Sequence, residues 1–181
     1  QDYKEAMAFG DQIAVINGGV IQQIGTPEAI YLTPANVEIA RLFGDPVINL
    51  LDVTLQKDAS GVFALISEKR IDLDASYASV VGLECCLGIR PESVLFVDRD
   101  HKSAVPVTVE AETPLNEKTV NLCLTARGRE IMASRPTGTQ GPAGGEAFVA
   151  IEAASALIFD KQTGALIETN STDISERGKV T

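Results

Sequence analysis

The residue types that most often carry chemistry are sparse in this 181-residue chain, and its one histidine is the first to consider. It lies in the charge-rich run Asp98-Arg99-Asp100-His101-Lys102. A metal site in a protein needs several ligands at set spacing, and one histidine beside two aspartates does not supply them. A catalytic triad cannot be assembled around a single loop histidine either. We therefore interpret this run as a solvated loop and predict no metal site.

The three cysteines do not form the pattern of a disulfide framework. Their number is odd, and two of them, Cys85 and Cys86, are adjacent. Neighbouring residues of a strand point to opposite faces, so these two thiols cannot chelate one ion together. Cys123 alternates with Leu122 and Leu124, and we expect it on the face opposite the two leucines. Reduced thiols of a cytoplasmic protein are the simplest interpretation.

A glycine-rich run at residues 138–145 is the nearest approach to a phosphate-binding loop. A P-loop needs Gly-x-x-x-x-Gly-Lys-Ser/Thr, in which backbone N–H groups and a lysine hold the phosphates. The run contains no lysine and precedes a β-like segment instead of a helix. We interpret it as a turn between strands. Neither a Leu-Ser-Gly-Gly sequence nor an acidic Walker B strand is present, so we predict that this chain neither binds nor hydrolyses ATP.

The segment Arg90-Pro91-Glu92 is the strongest local signal in the second half of the chain. Proline locks φ and removes a hydrogen-bond donor, which favours a fixed corner. Oppositely charged side chains around a proline are not an acid–base pair. We predict a corner that defines the fold, in which Arg90 and Glu92 make hydrogen bonds within the domain or across a subunit boundary.

Composition excludes several classes of protein. Hydrophobic residues make up 45% of the chain, which predicts a packed core. The net charge of -10 and the 5% of aromatic residues argue against a nucleic-acid partner, because phosphate binding needs a basic face. No apolar run approaches the roughly 20 residues that span a bilayer. The first residues lack the basic and apolar regions of a signal peptide.

The first part of the chain predicts a helix, a hairpin and two more helices. We expect the first helix over residues 2–9. Residues 13–16 and 20–24 are β-prone, and Asn17-Gly18-Gly19 between them suits a tight hairpin turn. Thr26-Pro27-Glu28 has the hydroxyl cap, proline and acid of a helix start. Thr33-Pro34 predicts a similar start for a helix over residues 35–43 that Gly44 ends.

Beyond residues 44–46 the pattern changes from helical to β. No convincing α-helix is predicted there, and many short strands at regular spacing favour a small barrel or sandwich. Residues after Ile167 are polar and predicted to fray. The predicted strands are residues 62–66 and 85–89 together with the alternating sets Leu51, Val53, Leu55; Val105, Val107, Val109, Ala111; Val120, Leu122, Leu124; and Ala147, Val149, Ile151.

Two ordered groups of motifs resemble one family of proteins, over about residues 2–166. Residues 11–51 resemble the last hairpin and helices of the ATP-binding subunit of an ABC importer of the maltose, sugar and polyol type. Later motifs resemble the transport-associated OB domain, called TOBE, of the same subunits. They are, in order, Gly88-Ile89-Arg90-Pro91-Glu92, Val94-Leu95, Val107-Thr108-Val109, Pro114-Leu115, Gly145-Glu146, Phe159-Asp160 and Thr163-Gly164.

The resemblance implies a domain organisation and a setting. Residues 1–44 are expected to be the end of a nucleotide-binding domain, residues 45–168 a regulatory domain of tandem OB-like barrels, and residues 169–181 a polar tail. The expected fold class is mainly β with a hairpin-and-helices appendage. ATP and Mg are expected in the longer parent chain only. A cytoplasmic location at the inner face of the cell membrane is implied, with a second ATPase subunit, permease subunits and a cytoplasmic regulator as partners.

The resemblance also places Gln1 where the family has a switch histidine that contacts the γ-phosphate of ATP. Glutamine cannot carry a titratable proton. One interpretation is a parent subunit with a degenerate site that pairs with an intact ATPase. The other is that Gln1 is merely the first residue of a fragment. In both cases no catalytic residue is predicted in this chain, and the corner at residues 88–92 remains its structural or interface motif.

Three functions are compatible with these observations. The first is the regulatory and dimerisation region of an importer ATPase subunit, which also offers a docking surface to regulators. The second is a free-standing OB-like module that senses a small anion, although the sequence contains no specific anion pocket. The third is a generic dimerisation unit of a parent that is not a transporter.

Overall fold

The computed structural model describes residues 3–142 and 144–168, and over these residues the protein is mainly β. The predicted fold class is confirmed: antiparallel strands enclose one large core, and a hairpin with three short helices precedes them. Gln1 and the predicted tail, residues 169–181, lie outside the described residues. The division of the chain at residue 44 stays a prediction. No helix within the described residues has the length and apolarity needed to cross a membrane.

The N-terminal unit is built on the predicted hairpin. Gly18 and Gly19, in the turn, have φ values of +58° and +78°, a left-handed conformation that glycine adopts without strain. The helices pack on one face of this hairpin around a small cluster of buried side chains, contributed by Ile13, Val15, Ile30, Ile39 and Phe43. The elements are α1 Tyr3–Phe9, β1 Ile13–Asn17, β2 Val20–Gly25, α2 Pro27–Leu32 and α3 Val37–Leu42.

The helix starts agree with the prediction for α2 and differ from it for α3. Thr26 Oγ1 accepts a hydrogen bond from Ala29 N at 3.2 Å, as predicted. The third helix is capped by Asn36, whose Oδ1 accepts from Ile39 N at 3.0 Å, and Thr33 instead closes the end of α2. The prediction of a start at Thr33-Pro34 was therefore wrong. Ala35 is held outside the helix because its carbonyl accepts a hydrogen bond from Leu166 N.

Three antiparallel sheets form the remainder of the chain as far as the structure describes it. Their strand orders are β11-β10-β9-β12-β8, β13-β7-β3 and β4-β5-β6, and all three line one large core. Over the described residues beyond α3, the helices are short 3-10 turns, in agreement with the prediction of no further α-helix. The strands are β3 Asn49–Thr54, β4 Gln56–Asp58, β5 Gly61–Ile66, β6 Lys69–Leu73, β7 Glu84–Ile89, β8 Val94–Phe96, β9 Val105–Pro114, β10 Lys118–Thr125, β11 Glu130–Pro136, β12 Gly145–Ile151 and β13 Leu157–Asp160.

The amide of Asn49 links two of the sheets. Its Nδ2 donates to the carbonyl of Met132 at 2.8 Å, and its Oδ1 accepts from Met132 N at 2.7 Å. Asn49 begins β3 and Met132 lies on β11, which is an edge of the five-stranded sheet. The side chain thus satisfies backbone groups that an edge strand otherwise leaves unpaired, and it draws the sheets toward a barrel.

The alternating strands are confirmed, with two differences in which face is buried. Ala111 is exposed, unlike Val109, because both faces of β9 are exposed from Glu110 to Pro114, where a register shift also interrupts the pairing with β10. Cys123 lies opposite Leu122 and Leu124, as predicted. The buried face of β10 carries Cys123 with polar neighbours, however, and the leucines remain partly exposed. These buried neighbours are Thr119, Asn121 and Thr125.

Candidate functional site at the junction of the helices and the sheets

The side chains singled out for chemistry are not brought together. His101 stays in an exposed turn, where its Nδ1 accepts a hydrogen bond from Ser103 N at 3.2 Å. Among the described residues, no group of three His, Cys, Asp or Glu side chains is placed to hold a metal ion. The glycine-rich run connects β11 to β12, so its interpretation as a turn between strands is confirmed over the described part of it.

The three thiols are free and point into packed regions. Cys85 belongs to the large core, and Cys86 packs against a smaller cluster on the other face of β7, as the alternation predicted. Burial raises the pKa of the Cys123 thiol from its ordinary value of 9.0 to about 11. A thiol with a raised pKa carries little thiolate at neutral pH and is a poor nucleophile.

Burial of Cys123 makes the protein less stable at alkaline pH. Because the folded state holds this proton more tightly, stability is unaffected below pH 9.0 and falls as the pH rises toward about 11. Two units of pKa correspond to a loss of at most about 2.7 kcal/mol. The test compares the free energy of unfolding of wild type and Cys123→Ala by urea titration near pH 8 and near pH 11. A difference between the two proteins that does not change with pH would contradict the prediction.

The motif at residues 88–92 occupies the boundary between the N-terminal unit and the sheets. Gly88 and Ile89 end β7, Arg90 follows, and Pro91 opens a 3-10 turn, Pro91–Ser93. A side chain on Gly88 would begin 2.8 Å from Cε2 of Phe159, so glycine is needed for that ring to pack. The prediction of a corner is consistent with this geometry. Its role as an interface motif stays a prediction.

Arg90 is the central residue of this boundary. Its side chain is buried, with 5% of the residue exposed. Nη1 donates to the carbonyls of Ala40 and Phe43, both at 2.9 Å, and Nη2 donates to the carbonyl of Tyr31 at 2.8 Å. The guanidinium also lies over the Tyr31 ring, 3.9 Å from its centroid. A planar group with five donors can reach all these acceptors at once, whereas a lysine ammonium cannot.

Tyr31 and Glu92 form the outer part of the same contact. The Tyr31 hydroxyl donates a hydrogen bond to Glu92 Oε1. Burial, reinforced by this bond to a carboxylate, raises the pKa of Tyr31 well above its ordinary value. The phenol therefore remains a donor over the physiological range. We refer to the set Tyr31, Ala40, Phe43, Gly44, Arg90 and Glu92 as the junction.

Gly44 is required by this arrangement in a way that the sequence did not indicate. As predicted, it directly follows a helix, since α3 ends at Leu42 with Phe43 as its C-cap. A Cβ on Gly44 would lie 2.7 Å from Arg90 Nη1. The absence of a side chain here lets the guanidinium approach the end of α3 closely. Gly44 and Arg90 are far apart in the sequence, so nothing in the sequence indicates that they meet.

The junction is thus a packed structural contact, built on a buried arginine and the backbone carbonyls that it binds. No family model matches the chain. Over nearly its whole length, however, it is related to the ATP-binding subunits of ABC importers, which confirms the resemblance. The trehalose/maltose import ATP-binding protein MalK of Thermococcus litoralis is 33% identical over 177 residues, covering 92% of this chain and 46% of MalK.

A second group of relatives has the same relationship. The sn-glycerol-3-phosphate import ATP-binding protein UgpC of Salmonella typhi is 33% identical over 165 residues, covering 90% of this chain and 45% of UgpC. The chain spans about half the length of the curated relatives it matches.

A solved structure of the cytoplasmic molybdate-binding protein ModG, with molybdate bound, aligns with a TM-score of 0.46 at 15% identity, over 61% of this chain and 94% of that one.

Proposed function

We propose that this chain is the regulatory and dimerisation region of the ATP-binding subunit of an ABC transporter that imports a sugar, a polyol or a related solute. The observation that carries the proposal is the identity of 33% to MalK over 92% of the chain. ATP and Mg act in the parent chain, because this sequence contains neither a P-loop nor the Leu-Ser-Gly-Gly signature. The chain itself is not an enzyme.

The N-terminal unit supports the proposal through its exposed apolar surface. Ile16, Val20, Ile21 and Ile24 of the hairpin are between 55% and 63% exposed. Apolar side chains grouped in this way mark a contact surface. In the proposed parent, the rest of the nucleotide-binding domain covers this hairpin face. The sheets follow as the regulatory domain.

The proposed role in transport is mechanical. Regulatory domains of two subunits remain associated while the nucleotide-binding domains open and close around ATP. The partners are a second ATP-binding subunit, identical or different, the permease subunits and a cytoplasmic regulator. The complex lies at the inner face of the cell membrane, and the choice of solute belongs to its other subunits.

Sedimentation equilibrium of the 181-residue chain tests the dimerisation proposal. We expect a monomer–dimer equilibrium that requires no added ligand. Because the exposed hairpin could itself cause association, the matched control carries Ile16→Thr, Val20→Thr and Ile24→Thr. If the chain dimerises through the regulatory domain, we expect this variant to associate as wild type does. Association that vanishes with the hairpin isoleucines and valine would contradict the proposal.

Two further measurements separate the alternatives. Isothermal titration calorimetry with Mg-ATP is expected to show no tight binding, and tight binding would overturn the assignment. Sedimentation with and without molybdate, sulfate and phosphate distinguishes the importer from a free-standing anion sensor. A dimer that forms only with one of these anions would favour the sensor.

A further inference from the structure

Helix α3 is shared between the two hydrophobic clusters that meet at the junction. Ile39 and Phe43 pack into the cluster of the N-terminal unit. Ala40, on another side of the helix, is fully buried in a separate cluster with Ile48 and Phe159, which belong to the sheet side. The predicted boundary at residue 44 follows this helix. Packing nevertheless makes α3 part of both units.

The start of α3 is hydrogen bonded to the end of the β region. Val37 N donates to the carbonyl of Gly164, and Leu166 N donates to the carbonyl of Ala35, both at 2.9 Å. Asn36 and Ala165 form an antiparallel β-bridge at the same place. The backbone entering α3 is therefore paired in the manner of a strand, which limits its freedom to rotate about the sheets.

Arg90 holds the C-terminal ends of both α2 and α3. It binds the carbonyl of Tyr31 at the end of α2, and those of Ala40 and Phe43 at the end of α3. The last carbonyls of a helix have no partner within the helix, so a buried cation satisfies them with strong hydrogen bonds. The Arg90 side chain thus joins α2 and α3 to β7, the strand that ends directly before Arg90.

We infer that Arg90 is a positioning residue that makes α2, α3 and the sheets a single rigid unit, so that residues 44–46 do not act as a hinge. Lys118 Nζ, at the start of β10, donates to the carbonyl of Asp45, which also ties residues 44–46 to the five-stranded sheet. If the proposed function holds, a rigid junction transmits movement of the helices directly to the regulatory domain. The rotation that opens and closes the nucleotide-binding domains then takes place at the contact between subunits, or on the N-terminal side of α2.

Amide hydrogen exchange of the 181-residue chain, read residue by residue by NMR, tests this inference. In wild type, the amides of Ala40, Phe43 and Val37 are expected to open together with those of β7. Arg90→Met removes the three carbonyl contacts and keeps an unbranched side chain. Exchange at the three amides of α3 is expected to accelerate by roughly tenfold to a hundredfold, while β7 keeps its protection.

The matched control is Arg129→Met. Arg129 Nη1 also donates to a backbone carbonyl, that of Asp52 at 2.9 Å, but this bond joins the turn between β10 and β11 to β3 and contacts no helix. The Arg129→Met substitution is expected to leave amide exchange in α3 unchanged. Gly44→Ala is the second test variant, because its Cβ displaces the guanidinium without removing it. It is expected to accelerate the same amides as Arg90→Met.

Three outcomes would overturn the inference. Amides of α3 that already exchange far faster than those of β7 in wild type would show that the helix is not fixed. Unchanged exchange in both Arg90→Met and Gly44→Ala would show that the contact does not position it, as would equal acceleration in Arg129→Met. Should Arg90→Met lose protection everywhere, Gly44→Ala decides. The measurement needs no ATP, partner or transport, so it can fail independently of the proposed function.

Discussion

Phe159→Ala is expected to lower the free energy of unfolding by about 4 kcal/mol, the typical cost of emptying a buried phenylalanine site. Phe159 is fully buried, with 0% exposure, and it lies outside the large core, in the small cluster with Ala40 and Ile48. The cavity left by the ring would separate α3 from β7, and rigid neighbours on both sides prevent collapse. Urea denaturation followed by circular dichroism measures the change.

The matched control for this substitution is Phe9→Ala. Phe9 is 87% exposed, at the end of α1, and its replacement is expected to change stability by less than about 0.5 kcal/mol. Equal losses in the two variants would show that the cluster around Phe159 contributes nothing beyond general hydrophobicity. A loss below about 2 kcal/mol for Phe159→Ala would mean that α3 moves to fill the cavity, contrary to its fixed position.

Gly88→Ala is expected to destabilise the protein by about 3 kcal/mol, at the upper end of the range for overpacking. The added Cβ would lie 2.8 Å from Phe159 Cε2 and 3.1 Å from Ile48 Cδ1. Strand β7 lies between β3 and β13, so its backbone cannot retreat without breaking two ladders of hydrogen bonds. Gly144→Ala is the control, because its Cβ would meet only the carbonyl of Val109, at 3.9 Å.

The double variant Gly88→Ala, Phe159→Ala distinguishes overpacking from a general intolerance of β7. If the ring is the obstacle, Gly88→Ala costs much less once Phe159 has been shortened, and the two losses are not additive. The free energies of unfolding of all four proteins in the cycle provide the test. Additive losses would show that the Phe159 ring is not the obstacle to a side chain at Gly88.

Local patterns in the sequence predicted much of this fold. The Asn-Gly-Gly turn, the start of α2 at Thr26-Pro27 and the alternation of Val105, Val107 and Val109 depend on contacts within a few residues. Such contacts can be read from neighbouring residues because φ preferences, caps and strand periodicity are local. The opposite faces of Cys85 and Cys86 follow from the same periodicity.

Other features depend on partners that are distant along the chain. The carbonyl of Ala35, just before the cap residue of α3, accepts a hydrogen bond from Leu166 N, and Asn49 joins two sheets through Met132. Ala111 is exposed because the second half of β9 extends past the buried core on both of its faces. Each contact crosses a separation in sequence that no local pattern records.

Residues 88–92 show both levels in one motif. Their residue types indicated a fixed corner, since proline restricts φ wherever it occurs. What Arg90 binds was decided only by folding, which brings the carbonyls of Tyr31, Ala40 and Phe43 to one guanidinium. The sequence by itself thus determined the elements and the kind of corner, because these follow from short-range sterics. The tertiary structure alone decided that the corner joins the helices to the sheets, because a buried cation must find its acceptors among whatever backbone the fold brings to it.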